Sequence, residues 1–427
     1  MQSTLRPILS LLLGLFFLIV GHGMQMTLIP LRAQAEGWGE FEIGAIGSAF
    51  YVGYVVGCIG TPFLIRRAGH IRAFTTLVSI IASAMVLHPV FVSFPAWAGL
   101  RALLGLSLAG LYMILETWLN DRASNANRGL LMAAYIMVNY AALAVGQLMV
   151  TLASPESFTL FAVGTVAMSI SAIPLALTRQ EQPRPLALVR FRPMALYRLS
   201  PVGLIGACAA GVANGAFWSL GAVAAVGIGM SVRDAAYFMA LVTAAGAFAQ
   251  WPVGRVSDRV DRRLVLITIL CAAAVTGLLL AFLPIAGPGW FVLAVFFGMA
   301  IAPSYSVAAA HAYDHAAHDD MVETATGLFL ASAVGSIVGP LVASAMMERF
   351  GPPRLFLFTA MVQLALAVYV ITRVRARQPI AQALKTDFDL AGSTPIGAGM
   401  PPVVVEAADA ATGPQPPPVP PPANAAG

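Results

Sequence analysis

Glu116 and His311 are the two titratable side chains best placed for proton chemistry. Glu116 stands near the end of an apolar stretch and is followed by Trp118, Asn120 and Asp121; His311 closes a later stretch that also holds Tyr305, with Tyr313, Asp314 and His315 beside it. An imidazole in that position changes charge near neutral pH, which suits a proton relay or a pH-dependent gate. A carboxylate at the edge of hydrocarbon suits proton coupling, or else a gate in which Arg67 or Arg128 holds it at the helix end. Arg101 lies in the same stretch as Glu116. At 1.5 Å per residue the pair is about 22 Å apart, so the two mark opposite ends of one helix.

Other chemistries are excluded by what is missing. There is no GxxxxGK[ST] loop and the single lysine is Lys385, so a P-loop ATP motor is ruled out and any work must be driven by a gradient. No HExxH, cysteine-pair site or nucleophile elbow occurs, so neither catalysis nor a metal or cofactor is expected. The loop ligands His318, Asp319 and Asp320 lack a closed metal geometry. Cys58, Cys208 and Cys271 each sit inside an apolar stretch, far apart in sequence, and are assigned to packing.

The elements that must position these residues are membrane helices. The chain is 59% hydrophobic and only 10% charged over 427 residues, with positive mean hydropathy, a composition that belongs to a polytopic membrane protein. Twelve stretches are long enough to cross a core of about 30 Å. They cover residues 8–31, 43–65, 73–92, 96–119, 129–152 and 158–177, then 201–230, 235–254, 264–283, 290–312, 324–347 and 355–374. The first lacks a cleavage site and reads as a retained span. A lipid bilayer is thus the expected surrounding. The net charge of +5 does not point to nucleic acid, because the basic residues fall in short loops. With both termini inside, all 24 basic residues except Arg32, Arg101, Arg233, Arg349 and Arg354 fall on the cytoplasmic side, which predicts an N-in, C-in topology.

Residues 250–263 form a dense polar knot that predicts a short aqueous turn. Four arginines and two aspartates cannot lie unpaired in hydrocarbon. Gly254 is expected to end the preceding helix and Asp258 to accept from the amides that open the next. A degenerate copy in the first half has Arg66, Arg67, Gly69, His70 and Arg72, with Pro62 in place of the glycine and Arg66 in place of the aspartate. Two such loops at matching places predict an internal repeat. Its halves are residues 1–178 and 201–376, joined by a Pro/Arg-rich cytoplasmic linker, 179–200. The remainder, 377–427, reads as a disordered tail, since the last 27 residues hold nine prolines.

Polar residues also recur at mid-span. The first stretch has Gly21, His22, Gly23, Met24, Gln25 and Thr27, and the seventh, its counterpart, has Gly211, Asn214, Gly215 and Trp218. Matching polar positions in two halves point to a central site built from His22, Gln25, Asn214 and Trp218. Helix packing through small residues, with Gln25 and Asn214 as interhelical glue, explains the glycines equally well.

The run Gly254, Asp258, Arg259, Arg262, Arg263 resembles the loop signature of the major facilitator superfamily, with Asp261 standing where that family usually has a second glycine. Arg101, Gly105 and Gly110 are spaced like its second signature, in which an arginine faces the central cavity. Gly335, Gly339 and Pro340 are similar to the glycine and proline signature of its antiporters, displaced to the eleventh stretch. Together with residues 116–120 and 310–314, these motifs resemble a bacterial subgroup of the family over residues 8–376. The resemblance implies an all-α fold of two six-helix bundles that carries a small organic molecule across the inner membrane by alternating access. The expected protein is a monomer that moves its cargo by proton-coupled efflux or uptake, with Arg67, Glu116, Arg128, Asp258, Arg259, Arg262, His311 and Asp314 as gating or coupling residues. A facilitated uniporter and a non-transporting receptor or scaffold acting through the tail are the competing readings.

Overall fold

The computed structural model describes residues 2–122, 128–177, 192–283, 289–317 and 320–376. The tail and most of the expected linker lie outside the described residues. Twelve helical spans are long and apolar enough to cross a membrane. The first half holds α1 (Gln2–Ala35), α2 (Glu40–Ala68), α3 (His70–Leu87), α4 (Phe94–Arg122) and α5 (Arg128–Met149), then a sixth span built from α6 (Phe158–Ile170) and α7 (Ala172–Ala176). After the short α8 (Pro193–Leu199) come α9 (Pro201–Gly227), α10 (Val232–Arg259) and α11 (Arg262–Phe282). The tenth span is α12 (Gly289–Ile301) plus α13 (Pro303–Tyr313), and α14 (Met321–Phe350) and α15 (Arg354–Ala376) complete the second half. The tenth span breaks at Pro303, which cannot donate the backbone hydrogen bond that would continue the helix.

Each half is assembled by backbones meeting at glycines. In the first half α1 packs on α5 and α2 on α4; in the second, α9 packs on α14 and α10 on α12, so the same pairing recurs. A Cβ on Gly23 would collide with the Leu143 carbonyl, and one on Gly53 with the Ala102 carbonyl. In the second half Gly211 meets the Ser332 carbonyl, Gly339 meets that of Val212, and Gly298 meets that of Val242. Gly211, Gly335 and Gly339 therefore serve helix contact between α9 and α14.

The polar knot departs from its expected form. Helix α10 runs through Gly254 to Arg259, and only Val260 and Asp261 form the turn before α11 begins at Arg262. The helix survives because Arg255 lays its guanidinium over the Trp251 ring at 4.1 Å and Ser257 is buried, so these residues find partners without leaving helical geometry. Asp261, not Asp258, is the N-cap, its side chain accepting from the Arg263 amide. In the first half the matching residue is Gly69, which turns the chain with φ +80°, a conformation L side chains avoid. Asp261 sits at φ −55° and needs no glycine. Its carboxyl is partly buried, which pushes its pKa up, but hydrogen bonds and charge from Arg263 outweigh this and hold it below the ordinary value. The stabilisation it gives is therefore present above the ordinary carboxylate pKa and fades as pH falls through the lowered one.

The part of the expected linker that is described packs on the second half. Leu196 of α8 is buried, Arg192 Nε lies 3.5 Å from Glu323 Oε1, and Arg373 donates to the Tyr197 hydroxyl.

Glycines on α2 make the close-packing account testable. Gly53→Ala should destabilise the protein by about 1–3 kcal/mol through overpacking. Gly60→Ala on the same helix, where nothing lies within 4 Å of the new Cβ, should be neutral or mildly stabilising. Thermal unfolding of the two variants in one detergent checks the order.

Candidate functional site

A cavity of about 200 Å³ lies between the two halves. Its wall draws on α1, α2, α4 and α5 from one half and α9, α10, the broken tenth span and α14 from the other. Tyr51, Tyr54, Tyr112, Tyr140 and Tyr305 line it, half of the ten tyrosines in the chain, together with Phe50, Trp218 and Phe329. The polar members are His22, Asn139, Asn214, Thr243, Ser332 and Ser336. Among the described residues no Asp, Glu, Lys or Arg lines it.

Of the five residues expected at a central site, His22, Asn214 and Trp218 line the cavity. Gln25 and Arg101 lie one layer behind. The Arg101 guanidinium sits 4.7 Å over the Phe50 ring, its Nη1 donates to Gln25 Oε1 at 2.8 Å, and its Nε reaches the Ile46 carbonyl at 3.4 Å. Because arginine only donates, Gln25 must present its oxygen to Arg101 and its amide nitrogen to His22 Nδ1, 2.8 Å away. His22 Nδ1 is then an acceptor, so the ring is neutral and its hydrogen is on Nε2.

Sequence reasoning missed most of the wall. A tyrosine hydroxyl at mid-span must face something polar, and that signal was available at Tyr51, Tyr54, Tyr112 and Tyr140. Asn139 is found through Tyr112, whose hydroxyl donates to Asn139 Oδ1 at 2.7 Å. Ala302 and Tyr305 flank the Pro303 break, another readable sign.

Contacts joining the halves run from the end of the molecule opposite the polar knot to the level of the cavity. Ser48 donates to the Ile337 carbonyl at 2.7 Å, and Gly44 packs against Ser344 and Pro340. Thr243 donates to Gln147 Oε1 at 2.8 Å, Gln250 Nε2 reaches the Tyr140 hydroxyl at 3.4 Å, and the Tyr54 and Phe329 rings meet at 5.9 Å.

The expected gating residues separate into two places. Glu116 is buried in the first half and accepts from the Tyr135 hydroxyl at 2.5 Å, one helical turn beyond Tyr112 of the cavity wall. Arg67 is exposed, and the Arg128 side chain lies outside the described residues. At the knot, Arg262 is almost wholly buried and forks onto Asp314, with Nε–Oδ2 2.8 Å and Nη2–Oδ1 3.3 Å. Its Nη1 also contacts Ser257 Oγ at 3.0 Å and Asp258 Oδ1 at 3.2 Å. The guanidinium thus ties the end of α10, the start of α11 and the end of α13 together. Arg259 is exposed. His311 stacks edge-on to His315, 4.7 Å between ring centroids, and feels the charges of Asp261, Arg262 and Arg263, so it belongs to the knot and not to the cavity wall.

Two halves built alike enclose a cavity within twelve candidate membrane spans. The sequence profile of the Major Facilitator Superfamily matches residues 11–333 and 204–392, and the chain belongs to that family. It is similar to the MFS-type transporter YcaD of Salmonella arizonae, 29% identical over 377 residues, covering 88% of this chain and 97% of that one. Among solved structures, the nucleoside transporter NupG superposes with a TM-score of 0.70 at 14% identity, covering 86% of this chain and 98% of that one. A bacterial homologue of the human lysosomal transporter Spinster, in an inward-facing and occupied conformation, gives 0.68 at 16%, covering 88% and 95%. FucP in the outward conformation gives 0.56 at 16%, covering 87% and 99%. At these identities the structures share the fold.

The geometry ranks the acids of the knot. Asp314→Asn removes one partner of a buried, forked pair and should cost about 3–5 kcal/mol. Asp258, whose side chain is 33% exposed, should lose only about 0–1 kcal/mol as Asp258→Asn. Apparent stability of both variants by thermal unfolding in detergent distinguishes them.

Proposed function

We propose that the chain is a gradient-driven secondary transporter that carries a small organic molecule across a bacterial inner membrane by alternating access. The observation that carries this reading is the cavity walled by both halves, with the halves sealed together on one side of it. The knot, the linker and both termini face the cytoplasm in this reading, as the distribution of arginines supports. The sealed end is then external and the conformation inward-facing. The higher TM-score to the inward-facing Spinster homologue than to outward FucP supports the same assignment.

Glu116 is the coupling acid in this scheme. A carboxyl buried in a span, a turn below the cavity wall and bonded to a tyrosine, exchanges a proton at lower cost than it could carry a permanent charge. Asp258, Arg262 and Asp314 bias the conformational equilibrium from the knot, and His311 acts with them.

Substrate-dependent flux and pH change in proteoliposomes, screened over a metabolite panel, test transport itself. With a substrate in hand, Glu116→Gln should abolish pH-driven accumulation while downhill exchange persists. Equal slowing of uphill and downhill flux would make Glu116 a gate and the protein a uniporter. For orientation, a single cysteine at exposed Arg259 in a cysteine-free background should resist an impermeant thiol reagent in right-side-out vesicles and react once they are opened; labelling before opening reverses the topology.

A further inference from the structure

Several polar groups of the cavity wall are free to donate to a ligand. His22 presents Nε2–H, fixed by the relay from Arg101 through Gln25. Asn139 spends its oxygen on Tyr112 and keeps its amide hydrogens. Tyr140 accepts from Gln250 and keeps its own hydrogen, and the buried Tyr305 hydroxyl has no partner among the described residues. Behind this wall stands a full positive charge. Arg101 is 3% exposed, and among the described residues no carboxylate lies within ion-pair distance of it; its contacts are an amide oxygen, a carbonyl and the face of Phe50.

A buried guanidinium without a counter-ion is costly in a membrane, and a ligand that brings the missing negative charge removes that cost. An organic cation could use the aromatic faces, but Arg101 repels it and no acid in the wall compensates. Resting on the transport reading of this cavity, we infer that its cargo is a small aromatic carboxylate. The ring packs among the tyrosines and Trp218, the carboxylate accepts from His22, Asn139 and the tyrosine hydroxyls, and Arg101 balances its charge through one layer of side chains. Arg101 is a positioning residue, since it acts on the cargo through its field and through the His22 tautomer.

The test uses the full chain in nanodiscs, with Trp218 fluorescence and thermal shift as readouts. Benzoate, indole-3-acetate and 1-naphthoate are compared with their primary amides and with matched aryl trimethylammonium cations. At least one acid should bind tenfold or more tightly than its amide, and the cations should bind weakest. Arg101→Met should bring the acid down to the level of its amide while the amide keeps its affinity, and Arg101→Lys should preserve the preference. His22→Phe should weaken acid and amide alike, with His22→Gln restoring both. Amides or cations binding as tightly as the acids, or no acid binding at all, overturns the inference on the wild-type protein even if Arg101→Met fails to fold. Counterflow in proteoliposomes separates the two claims. Acid binding without flux overturns the transport reading alone, whereas flux of amides or cations but of no acid overturns this inference alone.

Discussion

Hydrocarbon offers no partner to a polar atom, and that constraint places many of the polar side chains in the spans. Hydroxyls on exposed faces return to their own helix: Ser79 donates to the Thr75 carbonyl, Thr165 to that of Phe161, Thr268 to that of Leu264. Buried hydroxyls such as Ser304 and Thr359 do the same, while buried charged groups pair across helices, as Glu116 does with Tyr135 and Arg262 with Asp314. Arg101 follows the rule only in part, because neutral groups satisfy its hydrogens and leave its charge. The one buried cation that the described structure leaves unneutralised therefore stands directly behind the cavity.

The same constraint explains why the halves differ at their matching corners. The third helix of each half starts with a buried ionisable residue, His70 on α3 and Arg262 on α11. His70 packs against the Trp118 ring, 5.9 Å between centroids, and feels the charge of Asp121, where Arg262 forks onto Asp314. Gly69 makes the turn before one and Asp261 caps the helix at the other. Both corners therefore hold a buried ionisable group near a carboxylate, but only the second half closes it with a forked ion pair.

The twelve spans, the repeat and the knot were legible in the amino-acid sequence because hydropathy and charge report directly on the bilayer. Spans such as residues 201–230 and 264–283 match α9 and α11 to within three residues. The form of the knot was not legible, since the expected break at Gly254 ignored how Arg255 and Ser257 find partners within a continuing helix. At the site, His22, Asn214 and Trp218 were recoverable from matching mid-span positions. Gln25 and Arg101 were recoverable as polar residues but not as a second layer, because sequence spacing fixes a residue's height on its helix and leaves open which ring stands in front of it. Asn139 and Thr243 carry no motif and emerge only when Tyr112 and Gln147 are brought opposite them.

The donors assigned above and the seal between the halves fall on different elements. His22 and its relay, Asn139 and Tyr140 all belong to the first half, on α1, α4 and α5. The seal opposite the knot is made by α2 against α14 and α9, largely through a glycine face and backbone groups such as the Ile337 carbonyl. No charge is buried in such a seal, so parting it would strand none, and of the donors on the first half only Tyr140 is tied to the second, through Gln250. The wall as a whole is polar on both sides, with His22 and Asn139 on the first half and Asn214, Thr243, Ser332 and Ser336 on the second, so what sets the first half apart is the buried charge of Arg101 behind it.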